Sequence, residues 1–244
     1  MRFDCSHPAK ALNIVVVQSG WIIAVWLFSA TLLAQETGPT SPPDSEYAPC
    51  LEGQAGIRVY ESPQLTSPDG LWRAYASVEA RPGPPLGCSD TSTLLVEGPG
   101  EATFQTVHTI KPDPYLCCNG MKPISWSPQR HLLAVRVFYW QDPSDFAFHT
   151  ALIYDADRKR IIEPDPAKLF ARKYNKKECA FNFDKVLGFD SRNRVLFSAN
   201  DVIDPGDEEP VPETRCLGGP GEWALDIDSN QLELVKHLAL DNNQ

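Results

Sequence analysis

The chain has 244 residues, with 22 Lys and Arg against 32 Asp and Glu, for a formal net charge of −10. An acidic chain disfavours nucleic acid as a partner, because phosphate backbones are held by clustered Lys and Arg. The 22 prolines spread along it argue against long helices, since each removes a backbone donor and blocks helix continuation.

In chain order, Met1 to Ala34 comes first. Arg2 and Lys10 precede an apolar run from Ile14 to Ala34, broken mainly by Gln18, Ser19 and Gly20. That is the pattern of a secretory signal cleaved after Ala34. About 20 apolar residues also suffice to cross a bilayer, so an uncleaved N-terminal anchor in an inner membrane is the rival reading and the one route to a membrane. Either way the positive end stays inside and the rest is exported, periplasmic or secreted. Residues 1–34 carry Arg2, Lys10 and Asp4, a net +1, so removing them leaves −11 on the exported part. Residues 35–49 are rich in Pro, Ser, Thr and acid, too poor in apolar side chains to hold a core, and read as a tether. Residues 50–240 suit one domain.

Six cysteines follow the leader: Cys50, Cys88, Cys117, Cys118, Cys179 and Cys216. An even number in an exported domain implies disulfides. The adjacent pair lacks the Cys-x-x-Cys spacing of zinc sites, so no metal is expected there.

The domain opens on Ser67-Pro68-Asp69-Gly70-Leu71-Trp72-Arg73-Ala74-Tyr75-Ala76, a turn leading into a strand. Pro68 presets φ for a tight turn and Gly70 supplies the left-handed residue. A second hairpin signal follows at Leu94 to Glu101. Sixty residues after Ser67, Ile124 to Tyr139 repeats the arrangement around Ser127-Pro128, with the apolar run Leu132 to Phe138 as a buried strand. Its second hairpin is Ala151 to Ile162. A worn third copy spans Phe189 to Ser198, where Asn193 is the residue able to take positive φ, and Trp223 to Leu234 completes it. Trp72, Leu133 and Leu196 are expected at corresponding places. Pro166 to Lys177 reads as one short helix, capped by Asp165 with Pro166 in its first turn. Its cluster Arg172, Lys173, Lys176 and Lys177 reads as a solvated face.

A fixed period with four strands per unit predicts an all-β, β-propeller-like fold of three four-stranded antiparallel units, an open or incomplete ring, with one short helix near 166–177. Label the strands of each unit a to d. The a–b and c–d turns then share one end, and the b–c and d–a connections share the other. All six cysteines fall towards that second end. Cys179 is expected to pair with Cys216, Cys88 with Cys117 or Cys118, and Cys50 with the one left over.

Trp-Ser-Pro-x-x-x-x-Leu-Ala-Val at Trp126 to Val135, Ser-Pro-Asp-Gly at Ser67 to Gly70 and Tyr-Asp-Ala-Asp at Tyr154 to Asp157 resemble the repeats of TolB-type β-propellers of bacterial envelopes. The resemblance covers most of Ile57 to Leu234. It implies a propeller scaffold in an envelope compartment and leaves function open, since the family spans binding scaffolds and non-catalytic halves of peptidases.

No nucleophile elbow, phosphate loop or His-Glu-x-x-His helix is present, and no motif implies a cofactor. Asp155-x-Asp157 and Asp226-x-Asp228-x-Asn230 lack the Gly and Glu of a calcium loop and read as turn formers. The connection from Tyr139 to His149 mixes aromatics with polar groups. Tyr139, Trp140, Phe146 and His149 are therefore the candidate ligand contacts, since aromatics give large contact area at low entropic cost. The bland reading is that Tyr139, Phe146 and Phe148 extend the flanking strands. The acidic stretch Asn200 to Glu213 reads as a solvated loop. The leading functional expectation is a non-catalytic envelope module that binds a protein, peptide or glycan on the cysteine-bearing face. The alternatives are a hydrolase using loop carboxylates and His149, and a structural accessory domain docked on a larger partner.

Overall fold

The computed structural model describes residues 56–82, 88–113, 118–140, 147–177, 179–201 and 216–238. The leader, the tether, Cys50, Cys117 and Phe146 lie outside the described residues.

Three antiparallel sheets follow one another along the chain, none closed into a barrel. The first holds β1 (Arg58–Glu61), β2 (Leu65–Thr66), β3 (Arg73–Pro82), β4 (Cys88–Glu97) and β5 (Gln105–Ile110). The second holds β6 (Cys118–Trp126), β7 (Leu132–Trp140), β8 (Ala147–Asp155) and β9 (Arg160–Ile162). After α1 (Pro166–Tyr174), the third holds β10 (Phe181–Phe189), β11 (Val195–Asp201), β12 (Gly221–Asp226) and β13 (Gln231–His237). Each sheet runs a-b-c-d in order, so the β-propeller-like plan of three four-stranded units is what the chain forms. β1 and β2 are two pieces of one strand a, both paired to β3. Pro63, which has no N–H, interrupts it. Across the break the Ser62 hydroxyl accepts the Ala76 N–H at 2.9 Å.

The a–b turns share one construction. Ser67 donates its N–H to the Trp72 carbonyl and accepts the Trp72 N–H on its hydroxyl, both at 2.9 Å. Ser127 does the same with Leu132, at 2.8 and 3.3 Å. In the third unit Asp190 replaces serine: its N–H reaches the Arg194 carbonyl at 3.0 Å and its carboxylate accepts the Arg194 N–H at 2.9 Å. The equivalent residues are thus Trp72, Leu132 and Arg194. This corrects the expected match of Trp72 with Leu133 and Leu196, because the turn hydrogen bonds, and not the apolar pattern, set the register. Gly70 and Asn193 take positive φ, 76° and 61°, as their places in the turns require.

The c–d turns are made by aspartates. Asp155 accepts the Arg158 N–H, and Asp226 accepts the N–H groups of Asp228 and Ser229. α1 starts at Asp165, whose carboxylate accepts the Lys168 N–H, and ends one turn earlier than expected, at Asn175 in the left-handed conformation. Its basic residues are not simply solvated. Arg172 donates to the Asn230 carbonyl and Lys173 to the Leu232 carbonyl, tying the helix to β13.

The sheets stack face to face. One core lies between the first and second units, with Trp72, Ala74, Leu94 and Val96 meeting Met121, Trp126, Leu133 and Val135. The other lies between the second and third, where Leu132, Ala134 and Ile153 meet Phe197 and Trp223, with Phe170 of α1 among them. Each fully buried Leu or Val here contributes on the order of 1.5–3 kcal/mol. Gly98 is required by this packing: a Cβ there would sit 2.5 Å from the Trp72 ring. A polar seam also crosses between the first two units. Asn119 donates to the Asp90 carbonyl at 2.7 Å, and burial pushes the Asp90 carboxyl up to about 8.

The far face of the first unit differs from its inner one. There Arg73 bridges to Glu97 at 2.5 Å and lies over the Phe104 ring, which Tyr75 meets edge-on. On the third unit, the face opposite Trp223 carries a Lys236–Glu222 pair at 2.8 Å. Ion pairs thus lie on both outer faces, on the first beside exposed apolar side chains such as Val59.

Candidate functional site

The candidate site starts with β7 and β8. Phe138, Tyr139 and Trp140 pair in register with His149, Phe148 and Ala147. Tyr139, Trp140 and His149 are therefore strand residues, not loop residues. Strand alternation separates them. Tyr139 stacks on Phe148 at 5.0 Å, and Tyr139 packs on the core shared with the first unit. Trp140 stacks on Phe138 at 5.1 Å, and His149 lies 4.6 Å from the same ring, on the face turned to the third unit. The four expected contacts do not form one platform: Tyr139 and Trp140 are on opposite faces, and Phe146 is outside the described residues. The reading that Tyr139 and Phe148 extend the strands accounts for that pair.

A groove of about 610 Å³ opens between the second and third units, lined by residues 147–150 at the start of β8, residues 181–184 at the start of β10 and the first turn of α1. Side chains alternate between the faces of a strand, so four consecutive residues line one groove only where the strand turns its edge to it. Both walls are strand edges. Phe181 and Phe183 supply apolar surface, and Phe148, whose ring stacks on Tyr139 and is 39% exposed, borders the groove at the β8 edge.

Asp184 is placed by an irregularity. The β10–β11 register runs Phe183↔Ala199 and then Lys185↔Ser198, leaving Asp184 as the extra residue of a bulge. Bulges re-aim side chains, and this one directs a carboxylate to the groove lining. Desolvation raises the Asp184 pKa, partly offset by the charges of Lys185 and His149. Asp165, the groove's other carboxylate, is held below its ordinary value by hydrogen bonds from Lys168 and is committed to capping α1. The signal for this wall, Phe181-Asn182-Phe183-Asp184, was present in the sequence, but nothing in composition shows that a bulge re-aims its acid.

The groove lies at the cysteine-bearing end. Cys88 pairs with Pro82 and Cys118 with Trp140 at the strand ends remote from the a–b turns, and Cys118 is buried there. Cys179 and Cys216 form the expected disulfide, with Cα atoms 5.6 Å apart. It anchors the start of β10, one wall of the groove, to the b–c connection of its own unit. The same connection is fixed by Asp201, whose carboxylate accepts the N–H groups of Cys216, Leu217 and Gly219. The first acid of the Asn200–Glu213 stretch is thus structural; residues 202–213 lie outside the described residues, and so do the expected bridges of Cys50 and Cys117.

Among the described residues no cluster of His, Cys, Asp and Glu is arranged to hold a metal ion, and no helix is long and apolar enough to cross a membrane. No protein-family model matches the chain, and no curated protein matches it.

Proposed function

We propose that the chain is an exported, non-catalytic binding module of a bacterial cell envelope, which captures a protein, peptide or glycan in the groove between its second and third units. The observation that carries this reading is the groove itself: a cavity of about 610 Å³ walled by two strand edges, with exposed aromatic surface and a carboxylate re-aimed into it. Such a mix of apolar wall and few polar groups suits ligand capture. The disulfide is compatible with an oxidising compartment, and the TolB-like motifs support an envelope scaffold. His149 packs on Phe138 with the two rings tilted by 31°, an arrangement that favours support of the wall over acid–base work.

The test is affinity measured against a panel of envelope peptides and glycans, using the wild type and Phe148→Ala. Phe148 is exposed enough for its removal to leave the fold intact, so affinity should fall about tenfold, as for a moderate aromatic anchor, with the melting temperature nearly unchanged. Binding unaffected by Phe148→Ala would refute the placement of the site.

A further inference from the structure

The chemistry of the groove's occupant follows from its walls. Their described charged groups are Asp165 and Asp184, with His149 the one basic side chain and no Lys or Arg in the lining. Two of the lining aromatics, Phe181 and Phe183, precede Asp184 in the same strand, so a cation reaching that carboxylate would lie beside apolar surface. Lys and Arg are built for such a position, with a long aliphatic stem and a charged tip. The walls also discriminate between kinds of polymer. β10 is the first strand of its sheet and pairs there with β11 alone, and strand edges present backbone N–H and C=O groups that an extended backbone can pair with.

We infer, resting on the binding-module reading above, that the groove takes an extended basic peptide, whose backbone lies along the β10 edge and whose Lys or Arg side chain meets the carboxylate of Asp184. The bulge is the specificity device. A regular strand would alternate Asp184 with its neighbours and pair it across to β11, whereas the extra residue frees it to face the occupant.

The experiment uses the full exported chain and a fluorescently labelled peptide of alternating Lys and Val, read by anisotropy. The probe should bind, and Asp184→Asn should weaken it about fivefold, the upper end for an ion pair at an accessible site. A Glu and Val peptide should not compete. Binding should weaken as pH falls, because the carboxyl of Asp184 takes up a proton and loses its charge. His149 and Lys185 face or adjoin this carboxyl, and Asp165 lines the same groove. The pH dependence that disappears in Asp184→Asn is the part belonging to Asp184. Equal binding of Lys, Glu and neutral peptides, or a Lys peptide insensitive to Asp184→Asn, overturns the inference. If these ligands remain sensitive to Phe148→Ala, the binding-module reading survives; loss of that sensitivity as well ends both. A glucosamine oligomer that binds with the same dependence on Asp184 while the Lys peptide does not would show a cationic glycan as the occupant and also overturn the peptide assignment. Circular dichroism melts of Asp184→Asn and Asp184→Glu separate lost charge from lost fold, and Asp184→Glu should retain most of the binding.

Discussion

At the scale of single residues, His131 has the most constrained chemistry. Its Nδ1 lies 2.6 Å from an Asp157 oxygen and its Nε2 2.8 Å from an Asp69 oxygen. Ionised carboxylates only accept hydrogen bonds, so both ring nitrogens must donate, and the ring that fits is the imidazolium. Asp69 belongs to the first unit's a–b turn, and His131 and Asp157 to two turns of the second, so this contact clasps the units together. The hydrogen bonds to Asp157 and Asp69 raise the His131 pKa, and those from Ser67, Leu71 and His131 lower that of Asp69 to about 2. The histidine's contribution is complete below its unfolded value near 6.5 and is lost as pH rises through its raised folded value. The aspartate's contribution is complete above its unfolded value near 3.8 and is lost as pH falls through about 2. The clasp is therefore fullest between these two unfolded values. Melting temperatures of wild type and His131→Gln, compared across pH, should differ most in that window and converge in alkali; a constant difference would remove the imidazolium. From sequence, His131 could be read only as a hydrogen-bonded side chain, because its partners lie in turns that are distant in the chain and are brought together by unit stacking.

At the scale of elements, the hairpins were legible and their edges were not. Ser67, Ser127, Gly70 and Asn193 announce the a–b turns because the backbone needs those residue types locally. The extent of β7 and β8 is set instead by their cross-strand pairing, which runs in register as far as Trp140 and Ala147; that is a tertiary fact, so the sequence alone leaves the aromatic run in a loop. The same limit explains Asp184, whose bulge exists only relative to β11. Leu133, which pairs with Trp126 and Tyr154 and is 0% exposed, tests the packing between the first two units. Leu133→Ala should cost about 3 kcal/mol through lost burial and the cavity left behind, measurable by urea denaturation. A cost below about 1 kcal/mol, as for a surface change, would contradict that packing.

At the scale of the whole molecule, the described residues form three stacked sheets, with the Arg73–Glu97 pair on one outer face and the Lys236–Glu222 pair on the other. Among the described residues covalent support is local: the Cys179–Cys216 disulfide spans 37 residues within the third unit. Closing a loop of that length stabilises by on the order of 4 kcal/mol in the chain-entropy account. The double variant Cys179→Ala with Cys216→Ala should melt at a correspondingly lower temperature and bind more weakly in the groove. A variant that melts lower yet binds unchanged would show that β10 holds its place without the bridge.

The second and third units are fastened to each other by polar contacts at their a–b end, where Gln129 meets Asn193 at 2.9 Å and Arg130 meets Asp228 at 2.7 Å. The groove opens at the opposite end, and the disulfide beside it does not cross from one unit to the other. Between the two ends the shared core of Leu132, Ile153, Phe197 and Trp223, with Phe170 of α1, fills the interface. An occupant of the groove therefore meets walls that are already braced from behind.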